Sequence, residues 1–384
     1  LWARLMLLRD RYSPVRSGTV GCGIWMGQNE DAVALARTSG DEGDYVQTLE
    51  ALEWRTRAET DAIRAQVRGW SRPVALLKAQ QVVLRDLTYR HGDFPAALLC
   101  AQDLLAVAQR FGSLSAEAEA RAQIAVCTLG LGELGSIAEL NAEAQQAIAR
   151  LGPNHRLHLI PIGMGVGLGY FMEADWGTVV SRVEEYARTT DAQRNPTGFA
   201  AAAYAALALV RANRLTDARA WLHDLAAAAS HAPARTYLLN WALTAGAAAV
   251  WEAELVDPAR TYRTLLLGLE DAGAGSPTVF GNVDLAVARM ATLVGDHGEA
   301  RERFARAAQD AERAGHRALQ AITAFDEAWA RRRSSASDAQ VAALAARANR
   351  TFEALGMRSW ARRTRSLEST PHLAAARRPN PSAR

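Results

Sequence analysis

The chain has 384 residues, 49% of them apolar, and a formal net charge of +3. That apolar share argues against a disordered chain, and three isolated cysteines, Cys22, Cys100 and Cys127, argue against a disulfide framework or a cysteine zinc site. The longest unbroken apolar run, residues 199–210, is too short for a bilayer, which takes about 20 residues. A cytoplasmic protein without membrane contact is the expectation.

From the N-terminus, residues 1–72 read as a divergent helical cap. The chain begins at Leu1 rather than at Met, as a piece of a longer protein would. Residues 11–27 are irregular and Gly-rich. Asn29–Thr38 reads as the second helix of a pair, and Asp44–Arg68 as one long amphipathic helix. Ser71-Arg72-Pro73 then opens the first regular unit, since Pro suits a first helical turn.

Over residues 73–360 a turn signal returns at a steady interval: Gly92-Asp93, Gly132-Glu133, Ala174-Asp175, Asn213-Arg214, Glu254-Leu255, Gly295-Asp296 and, more weakly, near Ala336. A period of about 40 residues marks stacked repeats, each burying its apolar face against its neighbours. Seven residues before the turn stand Ala125, Gly167, Ala206, Ala247 and Ala288, with Arg85 the exception; five after it stand Ala97, Ile137, Val179, Ala218, Ala259 and Ala300. Small side chains at fixed points let helix axes approach closely. Gly112, Gly152, Gly273, Gly315 and Gly356 then close the second helices, glycine being the residue that enters the left-handed region freely. The fold expected is an all-α solenoid of six to seven helical pairs.

The chemistry within these repeats is sparse. Lys78, the sole lysine, precedes Ala79 and sits in a helix, so no P-loop is present. Gly163, Gly165, Gly167 and Gly169 alternate inside a first helix without a preceding strand. They read as a helix thinned for packing or locally unwound, and as the most bent element of the array. His155 and His158 have metal-ligand spacing but no further ligand beside them, so they read as an inter-repeat loop. Glu184-Glu185 reads as solvated surface. No catalytic, cofactor or metal residue is assigned, and an enzyme is not expected. Tyr170, Tyr204, Tyr237 and Trp241 stand on first helices, the elements expected to line a concave binding face. Tyr170, Tyr204 and Trp241 are the candidate anchors for a protein or peptide partner, with packing between repeats as the competing reading.

The stretches Gly295-Asp296-His297-Gly298-Glu299-Ala300-Arg301 and Phe352-Glu353-Ala354-Leu355-Gly356-Met357 resemble the last repeats of the tetratricopeptide-like region in large bacterial signalling ATPases, both LuxR-type STAND regulators and ATPase-linked nucleotide cyclases. The resemblance implies a right-handed solenoid over residues 73–360 that serves as a non-catalytic regulatory arm. It would bind a protein or a small-molecule inducer, with any ATPase or cyclase module upstream of Leu1. A LuxR-type protein would continue into a helix-turn-helix; here residues 361–384 form a basic tail read as disordered. From Gly356 onward seven Arg face the single acid Glu368. Phosphate contacts through that tail give the alternative, a DNA-binding regulator, although nucleic-acid binding is not expected of these residues alone.

Overall fold

The computed structural model describes Glu42, Leu49 and residues 55–152, 156–189, 196–234, 238–334 and 337–369. These residues form sixteen α-helices, and their sole β feature is an isolated bridge between Thr278 and Gly281. In chain order the helices are α1 (Arg57–Val67), α2 (Pro73–Arg85), α3 (Phe94–Phe111), α4 (Leu114–Gly130), α5 (Ile137–Ala149), α6 (Leu159–Phe171), α7 (Trp176–Thr189), α8 (Pro196–Arg211), α9 (Leu215–Ala229), α10 (Leu239–Glu252), α11 (Val256–Asp271), α12 (Val283–Val294), α13 (His297–Arg313), α14 (Arg317–Arg333), α15 (Asp338–Ala354) and α16 (Arg358–Ser369). None among the described residues is long and apolar enough to cross a membrane.

Local chemistry sets the boundaries. Thr56 accepts from the Glu59 amide while the Glu59 carboxylate accepts from the Thr56 amide, a reciprocal cap that starts α1. Asp44–Arg68 is therefore not one continuous helix: the capping box breaks it at Thr56. Asp93, Ser113, Asn282, Asp296 and His316 cap α3, α4, α12, α13 and α14 with side-chain acceptors. Between paired helices the chain turns through positive φ at Gly92, Gly132, Asn213, Glu254 and Gly295. For Glu254, a residue with a Cβ, this conformation costs about 1 kcal/mol or more.

The helices form two layers. The first helices of successive pairs, α2, α4, α6, α8, α10, α12 and α14, each touch the next of their kind. Among the described second helices, only α9 and α11 lie comparably close. Small residues allow this contact: Ala125, Ala206, Ala247 and Ala288 are completely buried at the crossings. The first-helix layer also curls onto itself. Tyr89 meets Trp241 edge-on at 5.1 Å, and the Phe171 ring lies 5.8 Å from that of His316. The last helix closes the layer: the Trp360 indole donates to the Tyr170 carbonyl at 2.6 Å across 190 residues.

Two expectations change at this level. The tail was expected to be disordered from residue 361, yet α16 continues to Ser369 and buries Trp360, Ala361, Thr364 and Leu367. Residues 370–384, and the helix expected at Asn29–Thr38, lie outside the described residues. The glycine-rich stretch was read as thinned for packing or locally unwound, and unwinding does not occur, because α6 is helical throughout. A Cβ at Gly163 would stand 2.6 Å from Tyr204 Cε2, one at Gly167 would stand 2.8 Å from Leu129, and one at Gly169 would stand 2.8 Å from Trp176. These glycines therefore serve close packing.

Gly165 has nothing within 4 Å of its would-be Cβ. Gly165→Ala should therefore stabilise the fold by up to ~1 kcal/mol through helix propensity. Gly163→Ala gains the same propensity but drives a methyl into the Tyr204 ring, and should be net destabilising by about 1–3 kcal/mol. Urea denaturation of the two variants should give opposite signs. His316 supplies a pH test. Burial pushes its pKa down to about 4, while its Nδ1 accepts from the Leu319 amide. Below the ordinary value of about 6.5 the unfolded chain binds a proton that the folded chain refuses, so stability falls as pH drops towards 4. The expected contribution reaches up to about 3 kcal/mol. His316→Asn, which keeps a capping acceptor, should lose less stability than wild type between pH 6.5 and 4.

Candidate functional site

Two features occupy the inner side of the first-helix layer: a cavity near its N-terminal half and a buried ionic network further along. The cavity has a volume of about 90 Å³. Five consecutive first helices supply its wall, with Arg85 from α2, Glu119 and Gln123 from α4, Gly163 and Met164 from α6, Tyr204 from α8 and Trp241 from α10. Tyr89 reaches the wall from a widened, π-type turn over Asp86–Arg90 that follows α2. Such turns are common at functional sites because they re-aim side chains. This one is held by buried Asp86, which accepts from Arg55 Nε at 2.5 Å and Nη2 at 3.0 Å and from Arg90.

One side of the cavity is polar. Arg85 Nε donates to Glu119 Oε1 at 2.8 Å, and Gln81 donates to the other Glu119 oxygen at 2.8 Å. Gln123 Nε2 donates to the Tyr89 hydroxyl at 2.9 Å. Two buried atoms on wall residues have no hydrogen-bond partner: Gln123 Oε1 and the Trp241 indole nitrogen. The remaining wall is apolar, from Val126, Leu157, Leu159, Ile160, Leu238 and Val279. A small cavity with an apolar body and a few fixed polar groups suits ligand binding. Arg85 is the position that departs from the small-residue register of the other repeats, and that departure was the visible sequence signal. Glu119, Gln123 and Met164 carried none.

The ionic network lies where α6, α10, α12, α14 and α16 converge. Arg289 donates from Nε to Asp326 Oδ2 and from Nη2 to the Tyr170 hydroxyl, both at 2.8 Å. Trp251 Nε1 donates to Asp326 Oδ1 at 2.9 Å. Burial opposes the charge on Arg289, but Asp326 and the Tyr170 oxygen outweigh it and hold the guanidinium above its ordinary value. Burial pushes the Tyr170 hydroxyl up to about 12. Glu252 likewise sits below its ordinary value, because Arg211 and Arg363 outweigh its burial. Arg211 reaches Glu252 at 2.5 Å and Arg363 at 3.1 Å. The Arg211 guanidinium also lies over the rings of Tyr170, Trp176 and Trp360.

The three candidate anchors fall in this interior. Tyr170 is completely buried, with rings of Phe171, Phe280 and Trp360 against it, and is a packing wedge rather than a surface contact. Tyr204 and Trp241 are also buried, but both stand on the cavity wall. The structure thus puts two of the three on the cavity wall and Tyr170 in the ionic network, with the Phe280 ring against both Tyr170 and Tyr204; Tyr237 lies outside the described residues. His158 bonds the Gly152 carbonyl at 2.8 Å, and His155 is not among the described residues. Burial pushes the Cys100 and Cys127 thiols up to about 11 and about 12, so neither is primed as a nucleophile. Among the described residues no group of three or more His, Cys, Asp or Glu side chains is placed to hold a metal.

Removing one member of the ionic network should be costly. Arg289→Met leaves Asp326 buried without its cation and should lower stability by about 3–5 kcal/mol in urea denaturation. The double variant Arg289→Met/Asp326→Leu should recover much of that loss. A cost below ~1 kcal/mol for the single variant would contradict the network's placement.

These geometries stand without a relative to lend them a role: no protein-family model matches the chain, and no curated protein matches it either.

Proposed function

We propose that the chain is a non-catalytic ligand-sensing scaffold, a right-handed solenoid of tetratricopeptide-like pairs with a period of about 40 residues. It would act as the regulatory arm of a larger bacterial signalling ATPase. The observation that carries the ligand-sensing part is the cavity whose wall draws on five consecutive first helices. A molecule bound there would touch every repeat from α2 to α10. It would favour one curvature of the array over others, and a ligand shifts an equilibrium only by such differential contact. The regulatory-arm part rests on the resemblance of the two C-terminal stretches described above.

The DNA-binding alternative has less support. Arg362, Arg363 and Arg365, three of the basic residues it would use, pair with Glu173, Glu252 and Glu353. A partner protein gripping Tyr170 is likewise disfavoured by the burial of that ring.

A thermal-shift screen of a mixed small-molecule library tests the reading. A ligand at a hundredfold its dissociation constant adds about 2.7 kcal/mol of stability. Hits should raise the melting temperature of the wild-type chain and lose that effect in Val126→Phe, which fills the cavity. A library without such hits, or hits indifferent to the filled cavity, would count against it.

A further inference from the structure

We infer that the chain binds a second copy of itself head to tail, the lower edge of one molecule resting on the upper edge of the next. This goes beyond the ligand-sensing reading and does not depend on it.

The precedent is inside the molecule. Each helical pair has an upper end, the turn joining its two helices, and a lower end, the link to the next pair. Three upper ends are covered by lower ends that follow about 180–190 residues later. Pro277, ahead of α12, lies so close to the Gly92 turn that a Cβ at Gly92 would stand 2.6 Å from the Pro277 carbonyl oxygen. His316, ahead of α14, sits likewise on Gly132, its Nδ1 2.8 Å from such a Cβ. Gly356, ahead of α16, faces Met172, and Arg362 of α16 reaches Glu173 at 2.6 Å. One superhelical turn thus stacks on another, lower end on upper end.

Edges of both kinds are left free. The turns after α8, α10 and α12 are uncovered: Asn213, Glu254 and Gly295 are exposed, where Gly92, Gly132 and Met172 are half-buried. Two residues past the covered Gly92 and Gly132 stand Phe94 and Leu134, 5% and 8% exposed. The same positions past Asn213 and Glu254 hold Leu215 and Val256, 39% and 38% exposed. On the lower edge, the starts of α2 and α4 expose Val74 and Leu114, and the end of α3 exposes Phe111. Of the six large apolar side chains exposed among the described residues, five therefore stand on these two free edges. Gathered on edges that pair elsewhere in the chain, they mark an interaction surface.

Charge sets the orientation. Arg68, Arg110 and Arg150 are exposed along the lower edge, so two lower edges repel each other. The upper edge exposes Asp217, Glu254 and Asp257, each beside an arginine of its own chain. A lower edge resting there meets carboxylates, as Arg362 meets Glu173 within the molecule. Such a contact joins unlike surfaces, and each added copy leaves one edge of each kind free, so growth does not stop at a dimer.

Sedimentation velocity of the full chain over roughly 1–200 µM, a range that spans interfaces of modest affinity, reads the association. The average mass is expected to rise with concentration past that of a dimer. Leu215→Glu/Val256→Glu spoils the upper edge and Val74→Glu/Leu114→Glu the lower. All four residues lie in the first turn of a helix, where a carboxylate suits the dipole, and circular dichroism checks that the fold is kept. Each double variant alone should be monomeric. Mixed in equal amounts, the two retain one intact pair of edges between them and should form 1:1 dimers and nothing larger. Val256→Glu and Leu114→Glu alone replace any double variant that does not fold, with the same outcomes expected. A wild-type chain that stays monomeric or stops at a dimer, association untouched by either variant, or variants that stay monomeric when mixed would overturn the inference.

Discussion

Alanine and glycine at the crossing points bring the first helices together, and from that closeness the rest of the interior follows. Where α8, α10 and α12 cross through Ala206, Ala247 and Ala288, those small residues are completely buried. Where a crossing position carries Arg85 instead, the layer cannot close in the same way, and space remains beside it. The cavity is the counterpart of tight packing elsewhere: one long charged side chain needs a partner, takes Glu119, and holds the neighbouring helices at a set separation. A close-packed interior makes such a gap conspicuous, since voids larger than a water are few in a domain.

The same constraint explains why charges are found so deep. With a first layer that curls onto itself, side chains of α6, α10, α12 and α14 share one interior, and Arg289 and Asp326 are almost completely out of solvent. Each buried charge is tolerable because hydrogen bonds are arranged around it: Asp326 accepts from both Arg289 and Trp251, and Arg289 also reaches Tyr170. Buried pairs of this kind contribute little net stability compared with apolar packing, but they penalise any arrangement in which the partners are misaligned. In an interior built largely of interchangeable alanines, they give each helix a distinct neighbour.

What could be read from the sequence was what lies within one or two turns of backbone. Turns at Gly92, Gly132 and Gly295 and glycines closing the second helices were legible because a single residue's conformation determines them. The capping box at Thr56 and Glu59 was equally local and was passed over because the amphipathic pattern runs across it. The ordered stretch after residue 360 was hidden by its arginines, although Trp360, Thr364 and Leu367 fall on one helical stripe. The cavity was not legible. It depends on how five helices align, and helices buried on both sides carry no polar face to show which way Tyr170, Tyr204 or Trp241 points. Arg85, breaking the small-residue register, was its one trace.

The bond from Trp360 to Tyr170 has a consequence for how the molecule comes apart. An open array of repeats frays from its ends, because each unit is held by nearest neighbours alone and its loss leaves the others intact. Here α16 is fastened to α6 through Trp360, to α10 through Arg363 and Glu252, and to Glu173 through Arg362. Peeling away the last helix therefore strips contacts from pairs several units earlier. Melting that began at the last helix would also break contacts made by α6 and α10. Through this bond α6, which also walls the cavity, touches the chain's last described helix directly, not only through the repeats in between.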